Sequence, residues 1–207
     1  MEAKVSARRD QILDAARDLV LREGYAQASM HAIARAAGLT RPALYAEFGD
    51  RDGLFTALLD REEERALTMA AAALPEIRPG ADPAEIAVEA ADLFLGMVLA
   101  APGTWRFVLM RDQALPPSAH ERVARGRMAL RERSEAMIRI VAAMAERELD
   151  AELVSYTAIS ASETAARLLL AEDGTQRRDA IASTLRWIAR RAVATAGIGE
   201  ASGGARR

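Results

Sequence analysis

The chain has 207 residues, 51% of them hydrophobic, 28% charged and 4% aromatic, with a net charge of −2 and no cysteine. A chain of this length can bury a substantial core, its apolar content excludes gross disorder, and the lack of cysteine excludes disulfides, thiolate metal sites and a cysteine nucleophile. A slightly acidic whole offers nucleic acid no general attraction, so any such binding has to come from a local patch.

The first twenty residues are densely charged (Glu2, Lys4, Arg8, Arg9, Asp10) and unlike a secretory leader. No apolar run approaches the ~20 residues of a membrane span, so a cytoplasmic protein with no membrane partner is expected. Residues 6–22 read as an amphipathic helix with Ile12, Ala15, Ala16 and Leu19 on one face, closed by Gly24. Ser29 is placed to cap a short helix to Ala37, Gly38 supplies a tight turn, and Thr40 is placed to cap a second short helix that tolerates Pro42 in its first turn. Gly49-Asp50 breaks that helix, and Arg51 to Leu74 forms a longer one.

Pro75 to Pro83 is a composition break. Helical stretches follow at 84–100 and 104–112, separated by Pro102-Gly103. Pro116-Pro117 opens a long helix to about 148, in which Val123, Leu130, Met137 and Met144 recur every seventh residue as a packing seam. Two more helices, 151–170 and 176–195, meet at Asp173-Gly174, and the Gly-rich tail is expected to be disordered. The expectation is an all-α fold of about nine helices: a three-helix head over 1–55, a helical bundle over 56–196 and a tail over 197–207.

The informative stretch is Ser29 to Leu54. Two short helices joined by a three-residue turn led by Gly38 make a helix-turn-helix, with Ile33, Ala34, Ala37, Leu39 and Leu44 spaced to form the wedge between them. The second helix presents Thr40, Arg41, Pro42, Ala43 and Tyr45 at the end where a recognition helix meets base edges.

The run I-A-x-x-A-G-L-T at Ile33–Thr40, then L-Y-x-x-F at Leu44–Phe48 and R-D-x-L at Arg51–Leu54, resembles the TetR family of transcriptional regulators. The resemblance covers about the first quarter of the chain. It implies a variable helical body that dimerises and binds a small-molecule effector, a homodimer on double-stranded operator DNA, and release of that DNA when the effector binds. Two departures stand out. Glu47 takes a place where the family often has His beside the DNA backbone, so it has to point away or pair with a cation such as Arg51. Pro42 stands where many members have Gly.

Charge is evenly divided in the head, where residues 1–55 carry eight Lys/Arg and eight Asp/Glu. Lys4, Arg8 and Arg9 are placed to reach phosphates as an N-terminal arm. Arg41 has the chemistry to read guanine, since a guanidinium bonds O6 and N7 together, and Pro42 and Ala43 suit a thymine methyl. Arg51 is expected at a phosphate, and His31 and Arg35 serve bases or phosphates, Arg35 equally being a solvated charge. Tyr45 either meets a phosphate or packs in the wedge, and Ser29 and Thr40 either touch phosphate or act as caps alone.

In the body, the resemblance puts Phe94, Met97, Trp105, Phe107, Met110, Met128, Met137 and Tyr156 on helices around a ligand pocket, whose lining suits an apolar or aromatic effector. Each of the eight is also an ordinary core residue by type. Asp92, Arg106, Arg111 and His120 are possible polar handles. Leu153, Ser160, Thr164, Leu168, Ile181, Leu185 and Ile188 stripe the last two helices as a dimer interface, with intramolecular core the alternative. A continuous helix from Arg51 makes a lever about 36 Å long between head and body.

No metal ligand set, cofactor loop or nucleophile elbow is present, since His31 and His120 stand without clustered partners and the tail's glycines follow no strand. Neither a cofactor nor an enzyme activity is expected. A helical small-molecule carrier without DNA binding is the other reading.

Overall fold

Ala, Leu, Arg and Glu lose little side-chain freedom in a helix, and a chain dominated by them has few competing conformations to choose from. The computed structural model describes residues 2–72, 75–76, 78, 80–109, 117–146 and 148–194. Among these it has no strand and nine α-helices. They are α1 (Glu2–Glu23), α2 (Met30–Ala36), α3 (Arg41–Phe48), α4 (Arg51–Ala72), α5 (Pro83–Ala100), α6 (Pro102–Val108), α7 (Pro117–Met144), α8 (Ala151–Leu169) and α9 (Arg178–Ala194).

Local chemistry sets most of the boundaries. Ser29 accepts a hydrogen bond from the Ala32 amide at 3.2 Å and caps α2, as expected. Past the end of α2, Gly38 takes φ 67°. The Leu39 amide reaches back to the Ala34 carbonyl at 2.9 Å and the Gly38 amide to Arg35 at 3.2 Å, a Schellman closure that needs a left-handed residue at its centre. Thr40 stands at the cap position of α3 but its side chain makes no capping bond. Asp50 Oδ1 accepts from the Gly53 amide at 2.7 Å and so starts α4.

The helix expected at 104–112 begins instead at Pro102. A proline in the first turn gives up no hydrogen bond, so Pro102-Gly103 opens α6 rather than preceding it. The side chains of Val123 and Leu130, residue Met110 and the tail 197–207 lie outside the described residues. Met137 and Met144 of the expected seam are half-buried.

Two compact units divide the chain, and they do not follow the expected cut at residue 55. The first comprises Met1–Leu67 with Gly103–Gly126, the second Thr68–Pro102 with Arg127–Arg207. In the first, Ile12, Ala16, Leu19 and Val20 of α1, Ile33 and Ala34 of α2, Leu44 and Phe48 of α3, and Leu54, Phe55 and Leu58 of α4 form one core, which Phe107 of α6 joins. Full burial of each large side chain among them contributes roughly 1.5–3 kcal/mol.

One carboxylate is enclosed with that core. Glu62 is fully buried, its Oε2 accepting from Thr104 Oγ1 at 2.6 Å and its Oε1 from Arg61 at 2.6 and 3.0 Å and from Arg65 at 3.4 Å. Arg17 lies 3.7 Å away. Burial by itself lowers the Arg17 pKa, but the hydrogen bond and charge of Asp18, with Glu62 and Asp14, carry it above the ordinary guanidinium value. α1, α4 and α6 are thereby joined through one charged cluster.

In the second unit α9 turns Ile181 and Leu185 inward, and α5 and α8 supply Ile86, Leu95, Val98, Ala166 and Leu169. Arg186 to Asp92 at 2.6 Å and Arg190 to Glu85 at 2.5 Å tie α9 to α5 at the surface. No helix among the described residues is long and apolar enough to cross a membrane.

Candidate nucleic-acid interface

α3 is eight residues long and two-sided. Leu44 and Phe48 enter the core, Ala43 and Glu47 are half-buried, and Arg41, Pro42, Tyr45 and Ala46 face solvent. At ~100° per residue the four exposed positions fill an arc of about 140°. Tyr45, for which packing in the wedge was one expectation, is 46% exposed and lies within that arc. Thr40 at the N-terminus of α3 is exposed beside them, as are Ser29, His31 and Arg35 along α2. The Ser29 hydroxyl is already engaged as a cap.

Arg51 takes a different place from the one expected. Its Nη2 donates to the Tyr25 carbonyl at 2.6 Å and its Nε to Ala28 at 3.3 Å. The guanidinium lies 4.2 Å from the Tyr25 ring centroid and 5.0 Å from that of Phe55. The Tyr25 carbonyl also accepts from the Ala28 amide at 3.2 Å, and the cation adds a bond to it and one to the Ala28 carbonyl while resting on two aromatic faces. Arg51 is thus an internal strut, and it does not partner Glu47.

That partner is Arg9. Its Nη1 lies 3.0 Å from Glu47 Oε1, with the guanidinium carbon 4.7 Å from the centroid of the Phe48 ring. Of the expected N-terminal arm, Arg8 is exposed, Arg9 is occupied with α3, and the side chain of Lys4 is outside the described residues.

Gly53, the unassigned position of the R-D-x-L run, has a physical reason. A Cβ there would stand 2.3 Å from the Phe48 carbonyl oxygen, so only glycine lets α4 start so close to the end of α3.

The residues expected around a ligand are divided between the two units. Phe107 is part of the first unit's core and Trp105 is buried in the same unit. Met128 and Tyr156 are half exposed, with the Tyr156 hydroxyl bonded to Arg131 at 2.7 Å. Phe94, Met97 and Met137 are half-buried in the second unit. An open cavity of about 710 Å³ lies there, between the last turn of α4 and α5, and Met97 alone of the expected set lines it, with Met69, Val88 and Leu93. Of the possible polar handles, Asp92 borders this cavity and is paired to Arg186, Arg106 is exposed, and Arg111 and the side chain of His120 are outside the described residues.

The expected interface divides too. Leu153 (63% exposed), Ser160, Thr164 and Leu168 share an exposed face of α8. Ile181 (6%) and Leu185 (5%) are core of this chain, and Ile188 is half-buried. Trp187, 62% exposed on the other side of α9, is a large apolar group that sequence reasoning passed over, as are Leu99 and Ile140. For Trp187, spacing out of step with Ile181 and Leu185 was the available signal.

The family model described as "Bacterial regulatory proteins, tetR family" matches residues 12–58. Among curated proteins, the chain is 45% identical over 53 residues to the HTH-type transcriptional regulator AlkX of Mycobacterium tuberculosis, covering 26% of this chain and 25% of that protein. It is 44% identical over 57 residues to the HTH-type transcriptional repressor ComR of Escherichia coli, covering 28% of this chain and 27% of the other. The chain therefore matches only about a quarter of the length of these relatives. Among solved structures, a TetR-like transcriptional regulator from Rhodococcus sp. RHA1 superposes with a TM-score of 0.70 at 29% identity, covering 90% of this chain and 96% of that one.

Proposed function

The chain belongs to the TetR family of bacterial regulatory proteins, and from that premise we propose that it is a cytoplasmic transcriptional regulator that binds double-stranded operator DNA as a homodimer. The observation that carries the reading is the exposed arc of Arg41, Pro42, Tyr45 and Ala46 on a helix whose opposite side is locked into a core. A short helix held in this way can enter a major groove without deforming. Arg41 reads a guanine, Pro42 and Ala43 meet a thymine methyl, Tyr45 and Thr40 take phosphates, and His31, Arg35 and Ser29 border the same groove.

Two half-sites require two heads, and the exposed apolar face of α8 with Trp187 of α9 supports pairing with a second copy. The apolar floor of the cavity beside α5 supports a small effector that releases the DNA, making the protein a repressor. Selection of binding sites from a random duplex pool tests the reading. Recovery of an inverted repeat with half-sites about one helical turn apart is the expected result. A pool that does not enrich, with salt-independent retention, favours the carrier without DNA binding.

A further inference from the structure

Glu47 projects from the side of α3 opposite the middle of its exposed arc, by about 180° at ~100° per residue. Its carboxylate faces α1, where Arg9 meets it at 3.0 Å, and the same guanidinium covers the ring of Phe48 at 4.7 Å. Both contacts are with the last turn of α3. Phe48 seats that turn in the core, the Tyr45 carbonyl accepts from the Gly49 amide at 2.8 Å, and the helix ends there with Gly49 at φ 78°. Phe48 is buried, so the stack is made on a ring that cannot turn away.

We propose that Arg9 is a positioning residue, clasping Glu47 and Phe48 so as to fix the angle at which α3 presents Arg41 and Tyr45. Its charge is neutralised within the protein and does not count among the phosphate contacts. Glu47, which would repel DNA on the other side of the helix, is then the anchor of the reading helix. A planar guanidinium is required, because the group must pair at its edge and stack on its face together; a lysine ammonium does the first only.

The inference rests on the proposed DNA binding, and two measurements separate its failure from the failure of that reading. Amide hydrogen exchange on the DNA-free protein compares wild type with Arg9→Ala, Arg9→Lys and Glu47→Gln. Exchange at Phe48 and Gly49 is expected to speed several-fold in each variant, while amides of α2 keep their rates. Unchanged rates at Phe48 and Gly49 overturn the clasp whatever the protein binds.

On a selected duplex, Arg9→Ala and Glu47→Gln should each lower the ratio of specific to random-sequence affinity by roughly five- to tenfold, the size expected of a part-buried ion pair with a ring stack. The double variant should lose no more than either single one. The salt slope should stay at the wild-type value. A slope flattened by about 0.9 in Arg9→Ala with the ratio intact would make Arg9 a phosphate contact and overturn the proposal. Wild-type protein that binds no duplex overturns the functional reading, and the exchange experiment still decides the clasp.

Discussion

Glu62→Gln is the substitution whose cost the structure specifies most fully. The carboxylate accepts from Arg61 twice, from Arg65 once and from the Thr104 hydroxyl. Glutamine keeps the shape and one acceptor oxygen, which in the Oε1 position retains the three arginine bonds without their charge and turns the amide NH2 to the Thr104 hydroxyl. A hydrogen bond to a charged group contributes about 1.5–3 kcal/mol, and removing one member of a buried pair costs about 3–5 kcal/mol when the other is stranded. Here the arginines are not stranded. Arg61 keeps Asp10 and Asp14, and Arg17 keeps Asp14 and Asp18. The cost should therefore sit near the lower end, about 3 kcal/mol. In a chain of this size each kcal/mol moves Tm by about 2–4 °C, so a fall of roughly 6–12 °C is expected by far-UV circular dichroism. Thr104→Val, which removes a single bond, should cost about 1–2 kcal/mol on the same scale. A fall of less than about 2 °C in Glu62→Gln would refute the reasoning, because enclosing the charge would then cost as much as its partners return.

Arg41→Ala should lose about 1–3 kcal/mol of binding and relax preference at one base per half-site, read by repeating the pool selection with the variant. Arg51→Ala should leave the salt slope unchanged and instead destabilise the protein by about 2 kcal/mol, as urea unfolding would report; a flattened slope would return Arg51 to the phosphates. Leu153→Glu with Trp187→Glu should give a folded monomer by light scattering, whereas Ile181→Glu should lose the fold. A double variant that stays dimeric would move the interface elsewhere.

What could be read from the sequence was what neighbouring residues decide among themselves. The Ser29 cap, the Gly38 closure and the break at Gly49 are settled within five residues, and all three stand where the side-chain chemistry put them. The helix-turn-helix followed from those marks and from the wedge of Ile33, Ala34 and Leu44. Choices between distant partners were not legible. Arg9 and Arg51 are equally cationic, and nothing local says that the one 38 residues away reaches Glu47 while the nearer one turns to two carbonyls. On α9 an apolar stripe marks a buried face without naming what buries it. Ile181 and Leu185 met α5 and α8 of their own chain, and Trp187 was left outside. The same limit applies to Phe107, which has the size and polarity of a ligand wall and is part of the first unit's core.

The position of Phe107 and Thr104 also orders events during synthesis. The unit that carries the reading helix is begun by residues up to Leu67 but finished by a segment from Gly103 onward. At about 5–20 residues per second the ribosome needs roughly 2–8 s to deliver the missing ring and hydroxyl. Through that interval Glu62 has its arginines but not Thr104, and the ring of Phe107 is absent from the surface it will cover. A nascent head is therefore incomplete when its last recognition residue emerges. It matures only after α5, an element of the other unit, has also been made.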